Sequence, residues 1–189
     1  MKRIVIFASG SGSNAENIIN YFSNRNTAEV RMVLSNRSRA GVFERCKRLN
    51  IPCQHFKKSD FFESNTVLEL LQKEADFIVL AGFLLKIPEN IIKAYPNEIV
   101  NIHPALLPKY GGKGMYGMNV HRAIKENNEP ETGITIHYVN EHYDEGGIIF
   151  QAKTAVEESD TPESIAQKVH ELEYAHFPRV IEETIAKHA

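Results

Sequence analysis

A doubly wound α/β sheet, mostly parallel with an antiparallel strand pair near the C-terminus, is predicted by three features of the sequence. Residues 4–8 and 77–81 are continuous apolar runs that end at glycines, the pattern of strands buried on both faces. Segments with strand character alternate with segments of helical periodicity, which implies parallel strands joined by crossover helices. The last two strand candidates, 132–139 and 147–156, lie too close together for a crossover and therefore pair antiparallel.

Each element follows from local chemistry. After the first strand and its glycines, Ala15, Ile18, Ile19 and Phe22 mark one face of a helix. Residues 29–35 read as the second strand and 40–50 as a helix, which Pro52 ends before a short extended stretch at 53–56. Ser59 and Asp60 cap a helix predicted over 61–74. After the strand at 77–81 come a short helix at 88–95, a strand at 98–101, a long loop at 102–118 and a helix at 120–127. Ile134, Ile136 and Tyr138 alternate along the penultimate strand. Thr161-Pro162-Glu163 then places a cap, a first-turn proline and a first-turn acid in order, so a last helix begins there. Ile165, Val169 and Leu172 form its inner face, and Pro178 is expected to kink or end it. One domain over residues 1–189 is expected from the length, with no repeat or linker.

Of the residues, 42% are hydrophobic and 24% charged, with a net charge of −2, so bulk electrostatics give no reason to expect a nucleic-acid partner. The apolar run near Met1 is only five residues long, too short for a signal segment or a membrane span. Cys46 and Cys53 form neither a disulfide framework nor a metal knuckle and read as reduced thiols of a cytoplasmic protein. His121, His137 and His142 sit in no HExxH or Cys/His arrangement, so no metal is expected.

Three segments follow strands at the end of the sheet where ligands bind in such folds: 9–14, 82–87 and 101–111. The first, Ser9-Gly10-Ser11-Gly12-Ser13-Asn14, leaves backbone N–H groups at a helix N-terminus, where an anion is favoured. It has no Walker lysine, which argues against a nucleoside triphosphate. Gly10-x-Gly12-x-x-Ala15 also fits a dinucleotide loop, and Ser35-Asn36-Arg37 after the second strand has an arginine able to receive a 2′-phosphate in place of the usual acid. A phosphate monoester, a dinucleotide and a purely structural turn all fit this loop.

The segment Asn101-Ile102-His103-Pro104-Ala105-Leu106-Leu107-Pro108-Lys109-Tyr110 is more informative. Asn101 and His103 share one face of an extended chain, and Pro104 holds His103 extended. A carboxamide beside an imidazole at a strand end can donate to a developing oxyanion. A satisfied core histidine beside a turn asparagine is the plainer alternative. Asp144 and Glu145, in the turn between the last two strands, are both candidates for a carboxylate that would raise the pKa of His103; a solvated acidic turn would leave it unaffected.

At these residues the chain resembles the folate-dependent formyltransferases, over residues 3 to about 185. The Asn-x-His-Pro-x-Leu-Leu-Pro string carries the resemblance, with Leu80-Ala81-Gly82-Phe83 and the glycine loop in order; the glycine loop narrows it to the branch acting on glycinamide ribonucleotide. The resemblance implies a Rossmann-like fold and transfer of formyl from 10-formyltetrahydrofolate, as co-substrate and without metal, to the amine of glycinamide ribonucleotide in purine biosynthesis. It implies Asn101, His103 and Asp144 as the catalytic set. Gly12, Ser13 and Asn14 would hold the 5′-phosphate, and Glu173 with His170 the glycinamide end. Leu84, Leu85, Lys86 and Ile87 would line the folate pocket with Asn140, Glu141, His142, Tyr143, Asp144 and Asn101. Expected partners are these small molecules alone, with neither nucleic acid nor membrane, for a monomer or homodimer. An extra N-terminal regulatory domain or C-terminal barrel, which would mark two other branches, is not expected.

Two departures stand out. The family's usual Pro-Gly-Leu after Lys109-Tyr110 is replaced by a longer glycine-rich loop, 111–118, suited to a lid over the folate tail. An arginine that many members carry is replaced by Ser64, a role for which Lys57, Lys58 or Lys86 could substitute.

Overall fold

The computed structural model describes residues 1–142 and 144–188. Seven strands form one sheet in the order β3-β2-β1-β4-β5-β6-β7. They are β1 (Lys2–Phe7), β2 (Ala28–Ser35), β3 (Cys53–His55), β4 (Phe77–Leu80), β5 (Ile99–His103), β6 (Glu131–Tyr138) and β7 (Ile148–Ala155). The first five run parallel, whereas β6 is antiparallel to both its neighbours. The predicted fold class is the one observed.

Both faces of the sheet are covered, which explains the unbroken apolar runs. Ile4 and Ile6 of β1 face α1 (Ser13–Phe22), α2 (Val42–Leu49), α6 (Met118–Glu126) and α7 (Pro162–Lys187). Val5 and Phe7 face the opposite way, onto α3 (Lys58–Phe62), α4 (Thr66–Glu74) and α5 (Glu89–Ala94). A strand with solvent on either face would need polar residues at alternate positions. On the second face Phe7, Phe56, Phe61 and Phe83 pack ring against ring, with centroids 5.0–6.2 Å apart.

Two helices depart from expectation. The helix predicted over 61–74 is two, α3 and α4, separated at Ser64 and Asn65. The Ser64 hydroxyl bonds to Asp60 O and to the Thr66 hydroxyl, and such local bonds compete with helix continuation. Pro178 does not end α7, which runs on to Lys187. Its ring leaves Tyr174 without the usual i+4 donor, and the Asn17 side-chain amide of α1 donates to that carbonyl instead, at 3.1 Å. Leu172 is only half-buried, while Ile165 and Val169 lie in the core as expected.

The order 3-2-1-4 puts the topological switch between β1 and β4, so a crevice opens beyond their carboxyl ends. The loops 8–12 and 81–88 form its walls, with the chain after β5 beside them.

Candidate active site

The crevice is a cavity of about 600 Å³. The segments 9–14 and 82–87 line it, as do Asn101 to Pro104 of the third segment singled out in the sequence, together with the 112–118 loop, the β6–β7 connection and one face of α7.

The glycine loop forms one end. Gly12 is the N-cap of α1, with a left-handed φ of 75°, and no side chain caps the helix. The first-turn amides of α1 are thus left to a ligand. Gly12 is also sterically fixed: a Cβ there would lie 2.4 Å from Val42 Cγ2. Asn14 donates its Nδ2 to Glu173 Oε2 at 2.9 Å, while its Oδ1 is buried and has no partner among the described residues. Glu173 is 5% exposed and also accepts from His170 Nδ1 at 3.1 Å. That hydrogen bond raises the His170 pKa. Residues 159 apart in sequence, Asn14 and Glu173, therefore share one polar wall with His170.

His103 and Asn101 stand at the end of β5, and β6 supplies their neighbours. The register pairs Asn101 with His137 and His103 with Thr135. His137 donates Nδ1–H to Tyr138 O at 2.8 Å, which leaves Nε2 to accept from Asn101 Nδ2 at 3.1 Å. The imidazole thereby orients the carboxamide. His103 donates Nε2–H to Tyr110 O at 2.7 Å, and its Nδ1 lies 3.6 Å from Asp144 Oδ2. Asp144 Oδ1 is also 3.6 Å from His137 Nε2, and Gly112 N–H donates to Oδ2 at 2.9 Å.

The carboxylate beside His103 is therefore Asp144, and it acts on the pKa in the expected upward direction, but it does not set the net result. Burial lowers the His103 pKa more than Asp144 raises it, so the net direction is downward. His103 is 4% exposed, and removing its charged form from water outweighs a carboxylate at 3.6 Å. Asp144 behaves in the opposite sense. Burial pushes it up, but His137, His103 and the Gly112 amide together hold it below the usual carboxylate range. An ionised Asp144 thus faces a neutral imidazole.

Leu84, Leu85, Lys86, Ile87, Asn140 and His142 line the opposite end of the cavity. Glu141 is exposed and does not line it, and Tyr143 lies outside the described residues. Ser64 sits in the α3–α4 break, and neither it nor Lys57 nor Lys58 reaches the cavity, so Lys86 is the basic side chain at this end. Ser9 joins the two ends. Its N–H donates to Gly82 O at 3.0 Å, its hydroxyl donates to Asn36 Oδ1 at 2.6 Å, and that hydroxyl accepts from Leu84 N–H at 3.0 Å.

Sequence reasoning places Ser9 only within the anion-binding loop and weighs His137 only as a metal ligand; it foresees neither the Ser9 bridge nor the His137–Asn101 contact. A signal for His137 existed: Thr135 and His137 alternate with Ile134 and Ile136, as Asn101 and His103 alternate with Ile102. Among the described residues no group of His, Cys, Asp and Glu could hold a metal ion. Cys46 and Cys53 are free.

The family model described as formyl transferase matches residues 2–181. The phosphoribosylglycinamide formyltransferase of Bacillus subtilis is 35% identical over 191 residues, covering 98% of this chain and 95% of that protein. The chloroplastic phosphoribosylglycinamide formyltransferase of Arabidopsis thaliana is 38% identical; this chain spans 64% of its length. Among solved structures, the phosphoribosylglycinamide formyltransferase of Bacillus halodurans superposes with a TM-score of 0.87 at 34% identity, covering 100% of this chain and 97% of that one. That of Streptococcus pneumoniae gives a TM-score of 0.85 at 32% identity, over 97% and 98%.

Proposed function

The chain belongs to the formyl transferase family, and from that premise we propose that it transfers the formyl group of 10-formyltetrahydrofolate to the amine of glycinamide ribonucleotide, a step of purine biosynthesis. The observation that carries this reading is the convergence of Asn101, His103 and Asp144 in one cavity with an anion-accepting helix end on one side and an apolar loop on the other.

The phosphate is assigned to Gly12, Ser13 and Asn14, whose amides and hydroxyl are donors at the positive end of α1. Glu173 and His170 are assigned to the glycinamide end, where a buried carboxylate suits an amine. The folate is assigned to Leu84, Leu85, Lys86 and Ile87 on one wall and to Asn101, Asn140, His142 and Asp144 on the other.

The substrate amine attacks the formyl carbon, a C–N bond forms, and the formyl oxygen becomes an oxyanion. Asn101 Nδ2–H donates to it, and His103 does so once protonated on Nδ1, its Nε2–H being already given to Tyr110 O, so the charge develops against fixed donors. As that charge grows, Asp144 supports the protonated form of His103 that burial otherwise disfavours. The attacking nitrogen then loses a proton, the folate nitrogen gains one through water held by Asp144, and the bond from the formyl carbon to that nitrogen breaks. Tetrahydrofolate and the N-formyl product leave. No metal enters the scheme.

Among the described residues no helix is long and apolar enough to cross a membrane. We assign the reaction to the cytoplasm, to one domain acting as a monomer or homodimer, with small molecules as its partners. Incubating the protein with both substrates and following tetrahydrofolate tests the assignment: stoichiometric formation supports it, and none in the presence of correctly folded protein overturns it.

A further inference from the structure

Resting on that reading, we propose that Arg37 completes the phosphate subsite and is the cation by which the protein selects a phosphate monoester over the dephosphorylated riboside.

The donors of the glycine loop are all neutral; the Glu173 carboxylate is 2.9 Å from the Asn14 amide, and the guanidinium that touches the loop, Arg45 on Ser11 O at 2.7 Å, is already paired with Glu16. A phosphate monoester carries nearly two negative charges at neutral pH. Amides and a helix dipole supply about half a charge. A full cation within reach is therefore wanted, and besides five histidines three basic side chains among the described residues line the cavity: Arg37, Lys86 and Lys113. Lys86 follows β4 and Lys113 lies in the glycine-rich loop, neither on a segment bonded to the glycine loop as the chain after β2 is. His170 is already held by Glu173.

Arg37 alone is carried by a segment packed on the glycine loop itself. Its neighbour Asn36 accepts from the Ser9 hydroxyl at 2.6 Å. Val42 N–H donates to Gly10 O at 3.1 Å, and a Cβ at Gly41 would lie 3.2 Å from Ser11 Cα. The segment 36–42 is thus fastened to the loop at both of its ends. The Arg37 backbone is fixed as well, by the Ser35 hydroxyl at 3.3 Å and by Ala40 N–H. Its guanidinium is exposed at the cavity rim and has no carboxylate partner among the described residues. By contrast Arg3, Arg31, Arg45 and Arg48 each pair with an acid. An unpaired guanidinium on a fixed backbone beside a helix N-terminus suits bidentate recognition of a phosphate.

The test compares kcat/KM for glycinamide ribonucleotide and for its dephosphorylated riboside, in wild type, Arg37→Ala and Arg37→Lys. The ratio of the two is expected to fall about 10- to 100-fold in Arg37→Ala, through KM for the phosphorylated substrate, and to recover in part in Arg37→Lys. Inorganic phosphate, as a competitor of the ribonucleotide, should lose potency in parallel. Equal losses on both substrates, or an unchanged ratio, overturn the proposal. Arg37 is exposed, so the melting temperature should not move, and a fall of several degrees with equal losses would mark a structural role instead. Wild-type protein that forms no tetrahydrofolate overturns the functional reading, and this proposal with it.

Discussion

His103 is subject to two opposed demands. It must be buried to bring a donor to the oxyanion in a site that excludes water, yet burial lowers its pKa. Asp144, 3.6 Å away and itself held ionised, is the group that offsets this. Removing the carboxylate leaves burial opposed only by the Tyr110 carbonyl and the Glu173 charge, so Asp144→Asn should move the His103 pKa further down. It should also lower kcat sharply, while the double variant with His103→Ala should be little worse than the worse single, because groups acting as a unit are not additive. NMR titration of His103 in wild type and Asp144→Asn checks the first half and a kinetic double-mutant cycle the second. An unchanged pKa or fully additive losses would refute the coupling. His137 belongs to the same set by geometry, since its Nε2 accepts from Asn101 and faces Asp144.

At the scale of elements, the site is made by strand ends that are tied to one another. Ser9, 1% exposed, bonds to the chain after β2 and to the chain after β4. Ser9→Ala would leave Leu84 N–H and the Asn36 side chain without their partner, and the loss of a buried hydrogen bond costs about 1–3 kcal/mol. The expected kinetic signature is a rise in KM for the folate larger than that for the ribonucleotide, because Leu84 opens the wall assigned to folate. Equal rises would mean general loosening of the sheet end. Gly12 is the second tie. An alanine there meets both a positive φ and Val42 Cγ2 at 2.4 Å, so α1 and α2 must separate. Gly12→Ala should therefore lower the melting temperature and phosphate affinity together, read by thermal unfolding with and without inorganic phosphate. How far such features were legible follows from their range. The strands were readable because burial on two faces leaves an unbroken apolar run, as at Phe77–Leu80. The glycine loop and Asn101 to Tyr110 were readable because their chemistry is contiguous. The persistence of α7 past Pro178 was not, because the group that satisfies the freed Tyr174 carbonyl, Asn17, is 157 residues away. The break between α3 and α4 was missed for a local reason: the Ser59-Asp60 cap marks where a helix starts and not where it breaks, and Phe61, Val67 and Leu71 are buried in the second core whether the helix is continuous or not.

For the whole molecule, His121, His103 and His170 contribute to how stability responds to mild acid. His121 on α6 is 3% exposed, and its Nδ1 has no hydrogen-bond partner among the described residues. Burial, then the charge of His170, push its pKa down to about 4; Glu173 acts upward and His103 downward. In the unfolded chain the same side chain titrates near 6.5, a value set by water alone. Above that pH both states carry a neutral ring and His121 leaves stability unaffected by pH. Below it the unfolded chain takes the proton first, so stability falls as pH drops from about 6.5 towards about 4 and levels off there. His103, whose pKa is also lowered, acts in the same direction. His170 acts in the opposite one: its pKa is raised, so its contribution is full below the unfolded value and is lost as pH rises through the folded one. Between pH 6.5 and pH 5 the His121 contribution amounts to about 2 kcal/mol at 1.36 kcal/mol per pKa unit. Urea unfolding of wild type and His121→Gln at pH 7.5 and pH 5 isolates it. The variant should lose less stability than wild type between the two conditions, by about that amount. Equal losses would mean that the folded protein accommodates a protonated His121, and that its burial beside Glu173 is electrostatically neutral.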